Sequence, residues 1–165
     1  MKLSKLPAHL FAEYAMRRHF PASLLDRLQQ AVADGETRHD GQVCFAIEGA
    51  QTVRALLHGT TPRQRAEEVF AHLRVWDTRN NSGVLIYVLL AERAIEIVAD
   101  RGIAERVGQG EWQIVCDRMR DRFANEAYEQ GAIEGVNAVS DILAAHFPPG
   151  DGKRSNELSD EPFIL

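Results

Sequence analysis

The residues able to do chemistry in this 165-residue chain lie in polar stretches that are far apart in sequence. Glu36, Arg38, His39 and Asp40 form the first, Asp77, Arg79, Asn80 and Asn81 the second, and Asp100 with Arg101 the third. Hard cations are held by carboxylate and amide oxygens, about six to eight around Ca²⁺ and about six around Mg²⁺. Glu36, Asp77, Asn81 and Asp100 are therefore the candidate metal ligands. Arg38, Arg79 and Arg101 carry planar donor forks that match phosphate oxygens, and beside a metal they would suit a phosphorylated ligand. His39, which titrates near neutrality, is the candidate acid–base group. The same acids and arginines also suit exposed ion pairs and turn caps. No nucleophile or phosphate-loop motif accompanies them: the chain has no G-x-S-x-G, no G-x-x-x-x-G-K and no H-x-x-x-H pair.

Whether these stretches meet depends on the elements between them. Gly41 to Glu48 reads GQVCFAIE, with Val43, Phe45 and Ile47 on one face and Cys44 and Ala46 on the other, the pattern of a strand covered on both sides. Val84 to Leu90 is a second apolar strand, and Ala94 to Ala99 a third. Thr61-Pro62 opens a helix between the first two, in which Ala66, Val69, Phe70 and Leu73 make the core stripe and Trp76 extends it into the core. A helical crossover makes that strand pair parallel, whereas the short link Ala91-Glu92-Arg93 makes the next pair antiparallel. The starts of strands one and two and the end of strand three then share one rim of the sheet, which brings the polar stretches together.

Helical spacing recurs at Leu24, Leu25, Leu28, Ala31 and Val32, starting from Ser23 as N-cap and stopping at Asp34-Gly35. It returns at Trp112, Val115, Met119 and Phe123, and again at Ile133, Val136, Ile142 and Leu143 after Gly131. These elements predict a single α/β domain over residues 21–147, an α/β/α sandwich on a small mixed β-sheet of about four strands, in which a fourth edge strand has no clear signal. Residues 1–20 read as an N-terminal amphipathic helix with Leu6, Leu10, Phe11, Tyr14 and Ala15 in its stripe. Residues 148–165 read as an extended tail. Its last residues, Phe163, Ile164 and Leu165, are expected to dock on an apolar patch, in cis or on a partner chain, with Gly150 to Asn156 mobile.

Composition narrows the function classes. An apolar fraction of 45% with 26% charged residues is that of a globular protein. A net charge of −5 argues against a nucleic-acid grip through broad phosphate neutralisation. The longest apolar stretch, Gly83 to Ala91, is far short of the ~20 residues of a membrane helix, and the charged N-terminus lacks a signal core. Cys44 and Cys116, far apart and outside any C-x-x-C, read as buried free thiols in a reducing, cytoplasmic setting.

The stretch Phe70-x-x-Leu73-x-x-Trp76-x-x-x-x-Asn81-x-Gly83-Val84-Leu85-Ile86, followed by Glu92-Arg93 and by Ile95-Glu96-Ile97-Val98-Ala99-Asp100-Arg101-Gly102-Ile103, resembles the TPM domain family. With Glu36 and the Gly131 helix the resemblance covers about residues 20–147. It implies an α/β/α sandwich, and it implies divalent-cation binding or acid phosphatase activity, both described for some members, or an assembly role. The family's common glycine-rich end of the third strand is replaced here by Asp100-Arg101-Gly102-Ile103, and the export signal and C-terminal membrane helix of many relatives have no counterpart in this sequence. The expected function is a cytoplasmic domain that binds Ca²⁺ or Mg²⁺, and a protein partner or phosphorylated ligand, at the Glu36/Asn81/Asp100 rim. A metal-dependent phosphatase using the same carboxylates is the alternative, and a non-catalytic interaction module using the N-terminal helix or the tail is a third reading.

Overall fold

Strand β1 (Gln42–Glu48) is buried at every residue, and strand β2 (Gly83–Leu89) likewise. In the computed structural model, which describes residues 12–152 and 155–165, these two strands run parallel from Gln42 opposite Gly83 to Glu48 opposite Leu89. Strand β3 (Ala94–Ala99) returns antiparallel to β2 through one 3-10 turn, Leu90–Glu92, and Arg93 in a left-handed conformation. Strand β4 (Phe163–Ile164) completes the sheet in the order β3-β2-β1-β4, parallel to β1. The edge strand without a signal is therefore the tail itself. Two residues carry too little periodicity to announce a strand, and the pairing is decided by the open edge of β1.

The helices are α1 (Ala12–His19), α2 (Ala22–Glu36), α3 (Val53–Leu57), α4 (Pro62–His72), α5 (Arg101–Ala104), α6 (Gln109–Ala124) and α7 (Tyr128–His146). Side-chain alternation sorts the core into two layers. Val43, Phe45, Ile47, Val84, Ile86 and Val88 meet α2, α6 and α7 on one face. Cys44, Ala46, Leu85, Tyr87 and Leu89 meet Ala66 and Val69 of α4 on the other. That is the expected α/β/α sandwich. Helix α4 begins with a capping box, Thr61 and Gln64 each satisfying the other's backbone N–H, with Pro62 in the first turn.

Several local expectations are corrected. Helix α2 starts after Pro21 rather than from Ser23, and it continues through Gly35 to Glu36. Gly35 is there for packing: a Cβ would lie 2.2 Å from Ser140 Oγ of α7. Trp76 is 47% exposed and not in the core. Helix α4 ends at His72, the left-handed Arg74 turns the chain, and Val75 takes the buried position. The indole instead donates to the Ala71 carbonyl and lies under the Arg74 guanidinium. In α1, Tyr14 is exposed while Ala12 is buried, so the apolar stripe runs differently than expected; Leu6, Leu10 and Phe11 lie outside the described residues. Both cysteines are free and buried, and burial pushes the Cys44 thiol up to about 12 and Cys116 up to about 11.

The tail docks in cis. Leu158 and Phe163 pack on the Cys44/Ala46 layer, Pro162 is buried, and the Leu165 N–H donates to the Ile47 carbonyl. Deleting residues 157–165 uncovers the β1 edge and is expected to lower Tm by several degrees with no change in oligomeric state, as read by calorimetry and light scattering. An unchanged Tm would show that the edge does not need this cover.

Candidate functional site

The continuation of α2 to Glu36 sets the site. Glu36 Oε1 accepts the Val43 N–H at 2.7 Å, so the last residue of the helix is tied to the start of β1, and Oε2 lies 3.4 Å from Gln42 Nε2. Burial raises the Glu36 carboxyl to about 7; the Val43 N–H opposes the rise and the charge of Asp160 adds to it. Glu36 and Asp160 both line a cavity of about 420 Å³ at the amino ends of the parallel strands. Its walls include Asp40 and His39 from the α2–β1 turn, Arg79, Asn80 and Ser82 from the loop before β2, and Gly150, Ser155, Asn156 and Glu157 from the C-terminal segment.

His39 is buried, with Nδ1 3.1 Å from the Gly41 carbonyl. Arg79 donates its backbone N–H to Glu157 Oε2 at 3.0 Å, and its guanidinium makes no ion pair among the described residues. Asp40 accepts the Gly150 N–H at 2.9 Å. The Gln42 side chain is a joint: its Oε1 accepts the N–H groups of both Glu157 and Leu158, at 2.9 and 3.1 Å.

Of the residues expected from the sequence, Glu36, His39 and Arg79 line this cavity. Arg38 points instead to Asp141 of α7 at 2.7 Å, and Asp77 pairs with Arg74 at 2.6 Å. Asn81 adopts a left-handed backbone, and its carbonyl accepts the Gly102 N–H. Asp100 is the N-cap of α5, with Oδ1 accepting the Arg101 N–H at 2.7 Å and Oδ2 buried without a hydrogen-bond partner among the described residues. The Arg101 residue is exposed. The loops before β2 and after β3 do meet, because a Cβ on Gly102 would lie 2.5 Å from the Asn80 carbonyl oxygen. That contact is backbone packing, and Asp77, Asn81, Asp100 and Arg101 do not line the cavity.

Among the described residues, no three His, Cys, Asp or Glu side chains stand where one metal ion would join them. An all-carboxylate cage does not fit this geometry. A cation that keeps much of its water shell and takes one or two carboxylates does fit a polar cavity of this size. The sequence reading missed Glu157 and Asp160. The signal was in ELSDEPFIL, since a tail strand parallel to β1 must run the residues before it past the amino end of β1, where the cavity lies.

An α/β/α sandwich with a polar cavity at the amino ends of its central parallel strands defines the class of domain. The chain belongs to the TPM domain family, whose sequence model matches residues 18–142. Among solved structures it is similar to BA42 protein from the psychrophilic bacterium Bizionia argentinensis, at 24% identity and a TM-score of 0.74, covering 87% of this chain and 94% of that one. It is also similar to the N-terminal domain of a P. gingivalis protein, at 20% identity and a TM-score of 0.56, covering 74% and 80% of the two chains. These likenesses show the fold. A comparison with curated proteins found no match. No helix of the described residues is long and apolar enough to cross a membrane.

The Glu36 carboxyl has a testable consequence. Between its ordinary 4.5 and about 7, the folded chain keeps a proton that the unfolded chain has released. Stability therefore falls as pH rises through that window, by on the order of 3 kcal/mol at most. Glu36→Gln is expected to flatten this dependence and to gain on the parent above pH ~7, as read by urea unfolding across the pH range. Parallel curves for the two proteins would show that Glu36 ionises normally.

Proposed function

We propose that this TPM domain binds a divalent cation, Ca²⁺ or Mg²⁺, in the cavity at the amino ends of β1 and β2. The observation that carries this reading is the charge of the cavity wall: Glu36, Asp40, Glu157 and Asp160 face it with Arg79 as the counter-charge. The fold opposes the ionisation of Glu36 through burial and through the charge of Asp160. A cation between the two carboxylates would relieve both effects, and its remaining positions would be filled by water and by neutral oxygens of the wall. Calcium or magnesium is expected to raise Tm by several degrees at saturation through mass action on the folded state. Glu36→Gln and Asp160→Asn should each remove that increment, whereas Asp100→Ala should keep it despite a lower starting Tm. An increment that survives both cavity variants and disappears in Asp100→Ala would move the ion to the rim outside the cavity.

Arg79 supports a second reading, in which a phosphorylated ligand bridges the cation and the guanidinium. The negative wall would repel a phosphate on its own, so metal and phosphate would enter together. If the ligand is also hydrolysed, release of an aryl alcohol from a generic aryl phosphate should need the metal and fall at least about tenfold in Arg79→Ala. Equal rates in the parent and the variant would leave cation binding alone.

A further inference from the structure

The cavity and the β1 edge are joined through one buried side chain. Gln42 is 8% exposed and stands at the first position of β1. Its Oε1 holds the Glu157 and Leu158 N–H groups, and its Nε2 faces Glu36 Oε2. Past Asp160 the tail leaves the cavity and runs along β1, where Phe163 packs with Leu158 on the Cys44/Ala46 layer and Leu165 closes on Ile47. The same segment supplies Glu157 and Asp160 to the cavity wall. An undocked tail therefore leaves a site without two of its four acids.

The ladder that holds the tail is short. β4 pairs with β1 at Ala46 and Ile47 only, against seven paired positions between β1 and β2. Segments with so few main-chain bonds open locally well before the core does. Opening costs the cavity its wall, so any ligand that needs Glu157 or Asp160 binds the docked form alone and pulls the tail onto the edge.

We propose that Glu157–Leu165 is a ligand-responsive strap: cation occupancy of the cavity and docking of the tail on β1 form one equilibrium, with Leu158 and Phe163 as positioning residues that set affinity without touching the ion and Gln42, in the cavity wall, as the joint between the two. The proposal rests on the cation reading above. It assigns binding energy to Phe163, a residue that does not line the cavity. If Phe163→Ala reduces the docked fraction to about one-tenth, the apparent Kd for the ion rises about tenfold, since only the docked fraction is competent.

The test uses the full-length chain with calcium or magnesium alone as the probe. Titration calorimetry on the parent, Phe163→Ala and Leu158→Ala is paired with amide hydrogen exchange at Glu157, Leu158 and Leu165. Metal is expected to slow exchange at these amides in the parent. Both variants should bind metal about tenfold more weakly although every acid of the cavity wall is left unsubstituted. Parent-like affinity in both variants, with tail exchange unmoved by metal, would overturn the strap and leave the cation site standing. Failure of the parent to bind either metal would overturn the cation reading and the strap with it. Weak binding in the variants without any metal effect on tail exchange in the parent would also overturn the coupling, because it would assign the loss to a change in the cavity rather than to docking.

Discussion

Strand β1 has to be hydrogen-bonded along two edges while buried on two faces, and most of the molecule follows from that requirement. Its seven residues are all buried, so each outward N–H and C=O needs a protein partner. β2 satisfies one edge over the full length. The other edge is divided among the β4 ladder, the Leu165 N–H on Ile47 and, near the strand's start, the Glu36 carboxylate, which accepts the Val43 N–H. The tail thereby becomes part of the sheet, and the acids that precede it become part of the cavity wall.

The opposite end of β1 explains why the cavity lies where it does. In open α/β sheets ligands generally sit at the carboxyl ends of the strands. Here that end carries Glu48, a carboxylate only 5% exposed, held by a two-pronged contact from Arg65 of α4 and by the Tyr87 hydroxyl at 2.5 Å. Burial and the Glu48 carboxylate push the Tyr87 phenol well above its ordinary value, and the same carboxylate holds Arg65 charged. Removing Arg65 would strand a buried charge, so the group acts as a lock between α4 and the sheet. Just beyond it, a Cβ on Gly49 would lie 3.3 Å from the backbone of Ala12 in α1. The carboxyl end is filled, and the open polar space is left at the amino end.

The strands and most helices were legible because the physics that forms them is local. Alternation of Val43, Phe45 and Ile47 with Cys44 and Ala46 reports two covered faces, and the helical stripe of Trp112, Val115 and Met119 reports one. Strand direction followed from the length of each connection. Trp76 shows the limit: its spacing from Leu73 matches a helix that the chain leaves one turn earlier, through a left-handed residue that periodicity does not register.

For the site, the sequence by itself determined which residue types were available and that the polar stretches around Glu36 and Arg79 would come to one rim, because strand order and direction follow from connection lengths. Tertiary structure decided which of them face a common space. Arg38 and Asp77 each found a counter-charge on the surface, and Asp100 capped a helix. These choices depend on neighbours that sequence spacing does not encode. The place of Glu157 and Asp160 was decided by the unfilled edge of β1, a demand that arises only once the sheet exists and that a tail with two ladder residues could not announce on its own.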